Sequence, residues 1–539
     1  GQSAMAALAR GAFRVGNAAG AIPAASRHLR SPSSLIICRS VQTFSSKATQ
    51  FSVGKKASHR VNTRRSTLLP SDSRKFSGGS AGKETEVLTQ LANIIDPDLG
   101  QDIVSLGFVK NLQISGGTVS FDLELTTPAC PVKEDFKRDG EMYVKKLPWV
   151  TEVKLTLTAQ QKGSGSLAGA NKSQGCPGLK QVKRIIAVSS CKGGVGKSTV
   201  AVNLAYSIAK LGGKVGIFDA DIFGPSLPTM TSVEDPKVGL SKDNDAMLAP
   251  LEFEGVKLMS YGYTAQAMKS QASVMRGPKV ASTVHQLLAF TDWGELDYLI
   301  LDFPPGTGDI QLTICQEASI DGTVIVTTPQ LLSFVDVVRG IEMFFNLNVP
   351  VVGLVENMSY FDCGCGQRHF PFGEGHKEQL EREYGTPNGF QLPIHNDISR
   401  GSDGGVPMVM MEPSESNTVI QKTYADLAAA VVQEVSKQST LKEPVPIVEY
   451  DDKSDKVIIR PGSGEPIEWT PRKLRERCTC AGCTSCSGDR PDGKPAPVIP
   501  AEVWPTSIQA KGRYAIEIRW NDGHGSIFPY KLLQKMNHE

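Results

Sequence analysis

The residues whose types and spacing most clearly predict chemistry lie at 190–199, in the sequence Ser-Cys-Lys-Gly-Gly-Val-Gly-Lys-Ser-Thr. An apolar run at 185–188 precedes this stretch, and a segment with helical character at 200–211 follows it. In such a strand–loop–helix unit, the backbone N–H groups of the glycine loop and the helix N terminus surround a polyphosphate. Lys197 would reach the terminal phosphates, and the hydroxyl of Ser198 would hold Mg2+. The stretch therefore predicts a phosphate-binding loop.

Two acidic segments, each directly after an apolar run, supply carboxylates that such a loop needs. Asp219 and Asp221 follow the run 215–218, and Asp302 follows the run 298–301. Paired carboxylates beside a triphosphate can position Mg2+-bound water and orient the attacking water. An aspartate at the end of an apolar strand suits the metal shell of a Walker B motif, so Asp302 joins Ser198 as a predicted Mg2+ ligand. For the first segment, an aspartate-rich turn that only caps a helix is the alternative.

The cysteines are concentrated in two places. Cys363 and Cys365 are separated by one residue, and a second group lies within nine residues: Cys478, Cys480, Cys483 and Cys486. Eleven cysteines arranged in this way favour metal binding over a disulfide framework. The second group suits an iron–sulfur centre or zinc, with redox switching or no role as alternatives. Two nearby histidines, His369 and His376, are expected to be surface or core residues rather than ligands.

The elements that must position these residues follow an α/β pattern. Apolar strand-like runs alternate with helical stretches between about 183 and 437, at 215–218, 298–301, 323–326 and 351–355. This alternation predicts a mostly parallel sheet with helices on both faces. Ligands bind at the carboxyl ends of the strands in such sheets, and the motifs above fall there.

Two smaller units flank this segment. Residues 83–160 predict a small α+β domain, with a helix at 84–95 and a half-buried strand in which Val119, Phe121, Leu123 and Leu125 alternate with polar residues. Residues 447–539 predict a small β-rich domain with a hairpin turn at 521–523. Linkers are expected at 161–182, which is rich in Gly, Ser, Ala and Asn, and at 438–446.

Composition excludes some classes of function. The net charge of +2 gives no reason to expect a nucleic-acid partner. No apolar run reaches the length of about 18 residues that a membrane span needs, and the closing helix at 415–437 is not conspicuously cationic, which argues against a membrane anchor. Residues 1–80 contain a single acidic residue, Asp72, and many Arg, Ser and Ala. They predict a disordered organellar targeting segment, with a retained basic tail as the alternative.

The motifs together resemble the deviant P-loop ATPases of the MinD, nitrogenase iron-protein and Mrp group. Cys191 stands where most P-loops have glycine, and Pro-Pro-Gly-Thr-Gly after Asp302 resembles the Mrp switch II. The resemblance implies an ATP hydrolase that works as a homodimer. Lys192 would contact the nucleotide of the other subunit, Asp221 would position water, and Asn357 would hydrogen-bond the adenine. It also implies these nucleotide-binding residues: Gly193, Gly194, Val195, Gly196, Lys197, Ser198 and Thr199.

Resemblance also bears on the cysteines. Bacterial Mrp-type carriers have Cys-x-x-Cys where this chain has Cys363-Gly-Cys365, and one pair from each subunit holds a 4Fe-4S cluster. The shorter spacing departs from that pattern, so structural zinc and idle thiols are alternatives to a shared cluster. Asp-Pro-Asp at 96–98 and Thr-Pro-Ala-Cys-Pro at 127–131 resemble the MIP18-type domain of iron–sulfur assembly proteins. Within the second motif, Cys130 is interpreted either as a reactive thiol or as a packed one.

The C-terminal motifs, including Cys478-Thr-Cys-Ala-Gly-Cys and Trp520-Asn-Asp-Gly-His, resemble the DUF971 domain. The order of the three domains resembles the high-chlorophyll-fluorescence class of organellar iron–sulfur scaffold proteins. That class implies a carrier that uses ATP and Mg2+ while it delivers a 4Fe-4S cluster to apoproteins. The resemblance favours the plastid stroma, whereas the Arg-bearing leader favours the mitochondrial matrix.

Two other functions are considered. A positioning ATPase of the MinD or ParA kind would need a membrane helix or a basic DNA-binding face, and the sequence indicates neither. An electron donor like the nitrogenase iron protein would keep a stable, redox-active cluster between its subunits. The cluster-carrier interpretation is preferred over both because thiol clusters and a nucleotide-dependent switch occur in the same chain.

Overall fold

The structure is a computed structural model of the chain. It describes residues 81–97, 99–159, 176–268, 277–306, 308–384, 388–440, 446–460, 465–478, 483, 499–511, 515–530 and 532–533. The predicted targeting segment, most of the first predicted linker, and Cys480 and Cys486 lie outside these residues. Among the described helices, none combines the length and the hydropathy that crossing a membrane requires.

The N-terminal unit packs two helices against a three-stranded sheet. Its elements are α1 (Ala81–Leu91), β1 (Val109–Ser115), β2 (Thr118–Leu125), α2 (Lys133–Lys145) and β3 (Glu152–Ala159). Strand β2 is central, antiparallel to β1 and parallel to β3. The predicted alternation is confirmed, since the four apolar residues of β2 are buried. The predicted end of the first helix is wrong: Ile95 pairs with Asp102 in a β-bridge beyond the helix.

The central unit is built on a nine-stranded sheet in the described residues. Its strands are β4 (Val182–Ser189), β5 (Val215–Asp219), β6 (Leu251–Phe253), β7 (Val256–Ser260), β8 (Leu296–Asp302), β9 (Gly322–Thr327), β10 (Val351–Asp362), β11 (Arg368–His369) and β12 (Gly389–Pro393). Its helices are α3 (Lys197–Lys210), α4 (Leu227–Met230), α5 (Tyr261–Met268), α6 (Gly277–Phe290), α7 (Asp309–Glu317), α8 (Leu331–Asn346), α9 (Lys377–Tyr384), α10 (Asn396–Asp403) and α11 (Thr418–Thr440).

The strand order is β11-β10-β9-β4-β8-β5-β7-β6, and β12 also pairs with β10 outside this order. All pairings are parallel except β10–β11 and β6–β7. Two separate hydrophobic clusters cover the two faces of the sheet, which is why strands such as β5, β8 and β9 are buried along their whole length. The predicted α/β class is thus confirmed, with antiparallel pairs added at the margins of the sheet.

The C-terminal unit contains two antiparallel sheets of three strands each. Its elements are β13 (Ile447–Asp451), β14 (Lys456–Arg460), β15 (Ile467–Trp469), α12 (Pro471–Glu476), β16 (Pro505–Lys511), β17 (Ala515–Trp520) and β18 (Gly525–Pro529). One hydrophobic cluster joins both sheets, with Trp520 and Phe528 fully buried in it. The predicted hairpin turn is present between β17 and β18, where Gly523 has a φ of 79°.

The N-terminal unit contacts the central unit through the loop after β2. Thr127 shares a buried hydrogen bond of 2.8 Å with the hydroxyl of Tyr298 on β8. Ala129 packs into the hydrophobic cluster that contains α3, and the ammonium of Lys133 donates to the carbonyl of Leu211 at the end of α3 (2.7 Å). Cys130, in the same loop, is half-buried in a small cavity beside α11. The loop therefore touches the far end of the helix that starts at the phosphate-binding loop.

Candidate functional site

The phosphate-binding loop connects β4 to α3 at the carboxyl edge of the sheet. Gly194 and Gly196 have φ of 77° and 83°, a left-handed conformation that only glycine adopts without strain. A Cβ on Gly196 would lie 2.2 Å from the amide nitrogen of Asn357, so glycine is also needed there for space. No described side chain caps the N terminus of α3, which leaves its first N–H groups available to an anion.

Cys191 occupies the position where most such loops have glycine, and α8 makes room for it. A Cβ added to Gly340 of α8 would lie 2.2 Å from the sulfur of Cys191. Burial raises the pKa of the Cys191 thiol to about 12. The thiol therefore packs against α8, and its raised pKa disfavours the reactive thiolate.

Lys197 and Asp302 form a buried ion pair at the base of the loop. The same ammonium donates to the hydroxyl of Ser198 (3.2 Å). The structure thus brings together the three residues predicted to hold the terminal phosphates and Mg2+. Lys192 is half-buried in the loop, and its ammonium has no hydrogen-bond or ion-pair partner among the described residues.

Asp219 and Asp221 have different roles. The carboxylate of buried Asp219 accepts hydrogen bonds from the backbone N–H groups of Asp221, Ser226 and Leu227, and from the hydroxyl of Ser260. Burial, and then the charge of Asp302, raise the pKa of Asp219 to about 7. Asp219 therefore organises the turn, as the helix-capping alternative expected. Asp221 is half-exposed on the same edge as the loop, where its carboxylate accepts the N–H of Gly224 (3.1 Å).

The segment after β8 closes over the start of the loop. The N–H of Gly306 donates to the carbonyl of Ser190 (3.0 Å), and the amide of Gln311 donates to the carbonyl of Pro304 (2.6 Å). The other amide atom of Gln311 is buried without a partner among the described residues. A cavity of about 470 Å3 lies between this segment and the Asp221 turn, lined by Phe223, Pro304 and Gln311 among others. Both segments are therefore placed to respond to what the loop binds.

Asn357 lies on β10 and faces the phosphate-binding loop. Its buried amide donates to the carbonyl of Val195 (2.8 Å). The predicted contact with adenine stays a prediction, because the described contacts of Asn357 are with the protein. The preceding residue, Glu356, is fully buried and was not predicted to matter. It accepts hydrogen bonds from the backbone of His376 (2.7 Å) and from the amide of Gln391 (2.9 Å), so it anchors the chain that returns from β11.

These residues fit a magnesium nucleotide. The loop combines glycines in the left-handed conformation with the free N terminus of α3, which suits a polyphosphate. Lys197 supplies a buried cation, and Ser198 and Asp302 supply the oxygen donors that Mg2+ prefers.

The first thiol pair lies at the turn between β10 and β11, and we call residues 360–369 the thiol hairpin. Cys363 and Cys365 form a disulfide, where the sequence favoured metal binding over disulfides. Arg368 fixes the base of the hairpin by two hydrogen bonds to Asp362 (2.8 and 2.9 Å) and by stacking 3.8 Å from the ring centre of Tyr360. His369 was expected to be a surface or core residue rather than a ligand. It is exposed, and its ring nitrogen and both sulfurs lie within 4.8 Å of one another. His376 instead packs on Phe334.

The second thiol group is brought together with a histidine that sequence reasoning missed. The sulfurs of Cys478 and Cys483 lie 3.3 and 3.6 Å from Nε2 of His524 in the β17–β18 turn. Buried Arg475 donates to the sulfur of Cys483 (3.3 Å) and pairs with Asp522. The histidine lies 41 residues beyond Cys483, so only the motif Trp-Asn-Asp-Gly-His could have signalled it. This arrangement can hold a thiophilic metal.

Three family models match consecutive parts of the chain. A model of an iron-sulfur cluster assembly protein matches residues 84–155, and a model of the NUBPL iron-transfer P-loop NTPase matches residues 181–432. A model of the N-terminal part of gamma-butyrobetaine hydroxylase-like proteins matches residues 448–534. The resemblance inferred from the motifs is confirmed for all three parts of the chain.

Several characterised proteins are similar over most of their length. Fe-S cluster assembly factor HCF101, chloroplastic, of Oryza sativa is 45% identical over 84% of this chain and 82% of its own. The protein of the same name in Arabidopsis thaliana is 44% identical over 84% and 82%. The iron-sulfur cluster carrier protein of Escherichia coli is 39% identical over 63% of this chain and 90% of its own. Among solved structures, an ADP-bound nucleotide-binding protein of Archaeoglobus fulgidus is 39% identical over 44% of this chain and 96% of its own, with a TM-score of 0.38.

Proposed function

The chain belongs to the family of Fe-S cluster assembly factor HCF101, and on that premise we propose an ATP-hydrolysing carrier that binds a 4Fe-4S cluster and delivers it to apoproteins. The cluster is cargo, which makes it a substrate of the carrier and not a resident cofactor. ATP binding and hydrolysis are the function of the central unit. Magnesium, the type of the cluster and the dimer are the finer parts of the proposal.

The observation that carries the proposal is that one strand connects the two sites. Asn357 of β10 contacts the phosphate-binding loop, and the thiol hairpin begins where β10 ends. Along the chain, Asn357 and Cys363 lie at most about 20 Å apart, at about 3.3 Å per residue of extended strand. Glu356, on the same strand, holds the chain that returns from the hairpin. A movement of the loop on nucleotide binding therefore has a direct mechanical path to the thiols.

The roles of the nucleotide-site residues follow from their positions. Lys197 would exchange Asp302 for phosphate oxygens, and Ser198 and Asp302 would hold Mg2+. When bound, Mg2+ would neutralise charge that develops on the transferred phosphoryl group. Asp221 would orient the attacking water. Lys192, which has no partner among the residues that the structure describes, would reach the nucleotide of a second copy.

Cys363 and Cys365, once reduced, would hold the cargo. They lie on an exposed hairpin, where a client can reach them. The group Cys478, Cys483 and His524 would instead hold a permanent metal such as zinc, because Cys478 is buried and buried Arg475 contacts Cys483. A fourth ligand would come from Cys480 or Cys486, which lie outside the described residues.

We place the domain boundaries at 83–160, 183–437 and 447–539, with linkers at 161–182 and 438–446.

The named relatives support a plastid location for this chain, and residues 1–80 would carry the targeting information. Import of the labelled chain into isolated chloroplasts and mitochondria separates the plastid from the mitochondrial alternative.

Anaerobic reconstitution tests the proposal. The full chain is loaded with iron and sulfide and then mixed with an apo-ferredoxin, with and without MgATP. Appearance of holo-ferredoxin without net electron flow supports a carrier. A bound cluster that changes only its redox state would favour the electron donor. A chain that never takes up iron and sulfide would reduce the function to nucleotide hydrolysis.

A further inference from the structure

We propose that His369 is the third protein ligand of the cargo, so that the thiol hairpin offers a Cys2His set made of Cys363, Cys365 and His369. The inference rests on the proposed carrier function, because the set has a purpose only if the hairpin holds iron–sulfur cargo. The shared-cluster model taken from related carriers assigns two thiolates per chain and no histidine.

Strand register places His369 on the correct side of the hairpin. His369 pairs with Phe361, and Arg368 pairs with Asp362. Side chains alternate between the two faces of a strand, so Tyr360, Asp362 and Arg368 share one face, as their mutual contacts show. Phe361 and His369 share the opposite face, and Cys363 continues the alternation onto it. The side that faces away from the Arg368 stack therefore collects sulfur and imidazole.

The candidate ligand atoms lie close together on the hairpin. The ring nitrogen of His369 and both sulfurs lie within 4.8 Å of one another. In a 4Fe-4S cluster each protein ligand binds a different iron, so the reduced thiols and the imidazole must spread apart to reach three irons. His369 has no hydrogen-bond or ion-pair partner among the described residues, so no existing contact must be broken.

The turn also prepares the thiols for metal binding. The backbone N–H of Cys365 donates to the sulfur of Cys363 (3.3 Å), a contact that a cluster-bound sulfur can also accept. Two backbone hydrogen bonds hold the turn, from Cys363 to Gln367 and from Gly366 to Cys363, each 3.0 Å. Gly366 has a φ of 80°, which suits glycine. The turn geometry is thus held by backbone bonds as well as by the disulfide.

The disulfide must be opened before cargo binds. A dithiol such as dithiothreitol supplies the two electrons and two protons: its two S–H groups become a cyclic disulfide, and the S–S bond of Cys363 and Cys365 becomes two thiols. Both thiols lose a proton to solvent when they bind iron. Imidazole is neutral, so a Cys2His centre carries one negative charge fewer than a centre with three thiolates. This difference distinguishes the two kinds of centre spectroscopically.

The experiment uses the full chain, reduced with dithiothreitol and reconstituted anaerobically with ferrous iron and sulfide. The wild type is compared with His369→Ala, His369→Cys, Gln367→Ala and His524→Ala. Gln367 is the matched control because it is an exposed side chain of the same turn. His524→Ala controls for the second thiol group. The measurements are iron and sulfide content, the rate of iron release to a chelator, and nitrogen hyperfine coupling in the electron spin echo of the reduced cluster.

We expect nitrogen coupling in the wild type, Gln367→Ala and His524→Ala, and its loss in both His369 variants. Iron release should be at least about 10- to 100-fold faster in His369→Ala. Loss of an outer-shell partner alone weakens metal binding by about that factor. His369→Cys should restore retention of the cluster without restoring the coupling. A purely structural role of His369 would not give that combination.

Two results would overturn the inference. One is a wild-type cluster without nitrogen coupling, and the other is a coupling that disappears only in His524→Ala. Both leave the carrier function standing, since cluster uptake and transfer are measured separately. Failure of the wild type to take up iron and sulfide would instead remove the carrier function itself.

Discussion

Lys197 has a partner in the protein that a nucleotide must replace. Its ammonium is paired with Asp302 in a buried position, so phosphate binding at Lys197 would exchange one anion for another. The exchange would free the carboxylate of Asp302 for the proposed Mg2+. A buried carboxylate without a partner is costly, which favours nucleotide and metal binding together.

Substitution of Lys197 by Ala should weaken ATP binding by about 100-fold, because hydrogen bonds to charged groups are worth about 1.5–3 kcal/mol. Isothermal titration with MgATP measures the effect, and Lys214→Ala, at an exposed lysine, is the control. The iron and sulfide content after reconstitution should stay near the wild-type value, since the hairpin thiols are untouched. An unchanged ATP affinity would contradict the assignment of the phosphate-binding loop.

Single residues also show where sequence reasoning succeeded and where it could not. The loop residues and Asp302 were predictable because each motif is local and follows its own strand. His369 was set aside because a histidine near cysteines says nothing about which face of a strand it occupies. His524 is separated from Cys483 by a chain segment and two strands, so its approach depends on how the sheets pack. Glu356 was missed because burial of a carboxylate is a tertiary property.

At the scale of elements, α3 is held at both ends by different parts of the chain. Its N terminus begins at the phosphate-binding loop. At its other end, the carbonyl of Leu211 accepts a hydrogen bond from Lys133 of the N-terminal unit. A cation at a helix C terminus also interacts favourably with the helix dipole. The prediction of a small α+β unit was correct, but its contact with α3 was not predictable, since it depends on side chains from two units that are far apart in sequence.

Replacing Lys133 by Met should lower the free energy of unfolding by about 1 kcal/mol, because one charge-assisted hydrogen bond and its dipole interaction are lost while the aliphatic stem remains. Urea denaturation of the full chain measures the change. Lys137→Met is the matched control, since Lys137 is exposed on the same helix. Equal effects of the two substitutions would mean that the contact with Leu211 contributes nothing.

The C-terminal unit depends on a contact between α12, the thiol group and the β17–β18 turn. Removal of the proposed metal from Cys478, Cys483 and His524 should loosen this contact, because the ligand bonds that would join the two sulfurs to His524 are then lost. We therefore expect a strong chelator, or His524→Ala, to make the C-terminal unit sensitive to protease while the central unit stays resistant. Gln509→Ala, at an exposed position of β16, should have no effect.

Metal analysis by mass spectrometry completes this test. The wild type purified without added iron should contain about one zinc or iron per chain, and His524→Ala should contain much less. A metal-free wild type whose C-terminal unit resists protease would show that the thiols and the histidine are held together by packing alone. That result would remove the proposed permanent metal site without affecting the hairpin.

At the scale of the whole molecule, the proposed dimer would complete the nucleotide site through Lys192. Lys197 is engaged inside the site, whereas the ammonium of half-buried Lys192 has no partner among the described residues. A half-buried lysine without a partner is what a site shared between subunits would leave in a single chain.

Substitution of Lys192 by Ala should therefore affect the assembly and its turnover. ATP affinity should stay within about threefold, which corresponds to a change of about 0.65 kcal/mol in binding free energy. Steady-state ATP hydrolysis should fall by about 100-fold, in keeping with loss of a cation that stabilises the transition state from the neighbouring subunit. Sedimentation velocity with a slowly hydrolysed ATP analogue should show a dimer for the wild type and a monomer for Lys192→Ala. Lys210 contacts the protein at the other end of α3, so Lys210→Met should keep the dimer and serves as the control. A Lys192→Ala chain that dimerises and hydrolyses ATP normally would contradict the shared site, and the communication along β10 would then have to operate within one chain.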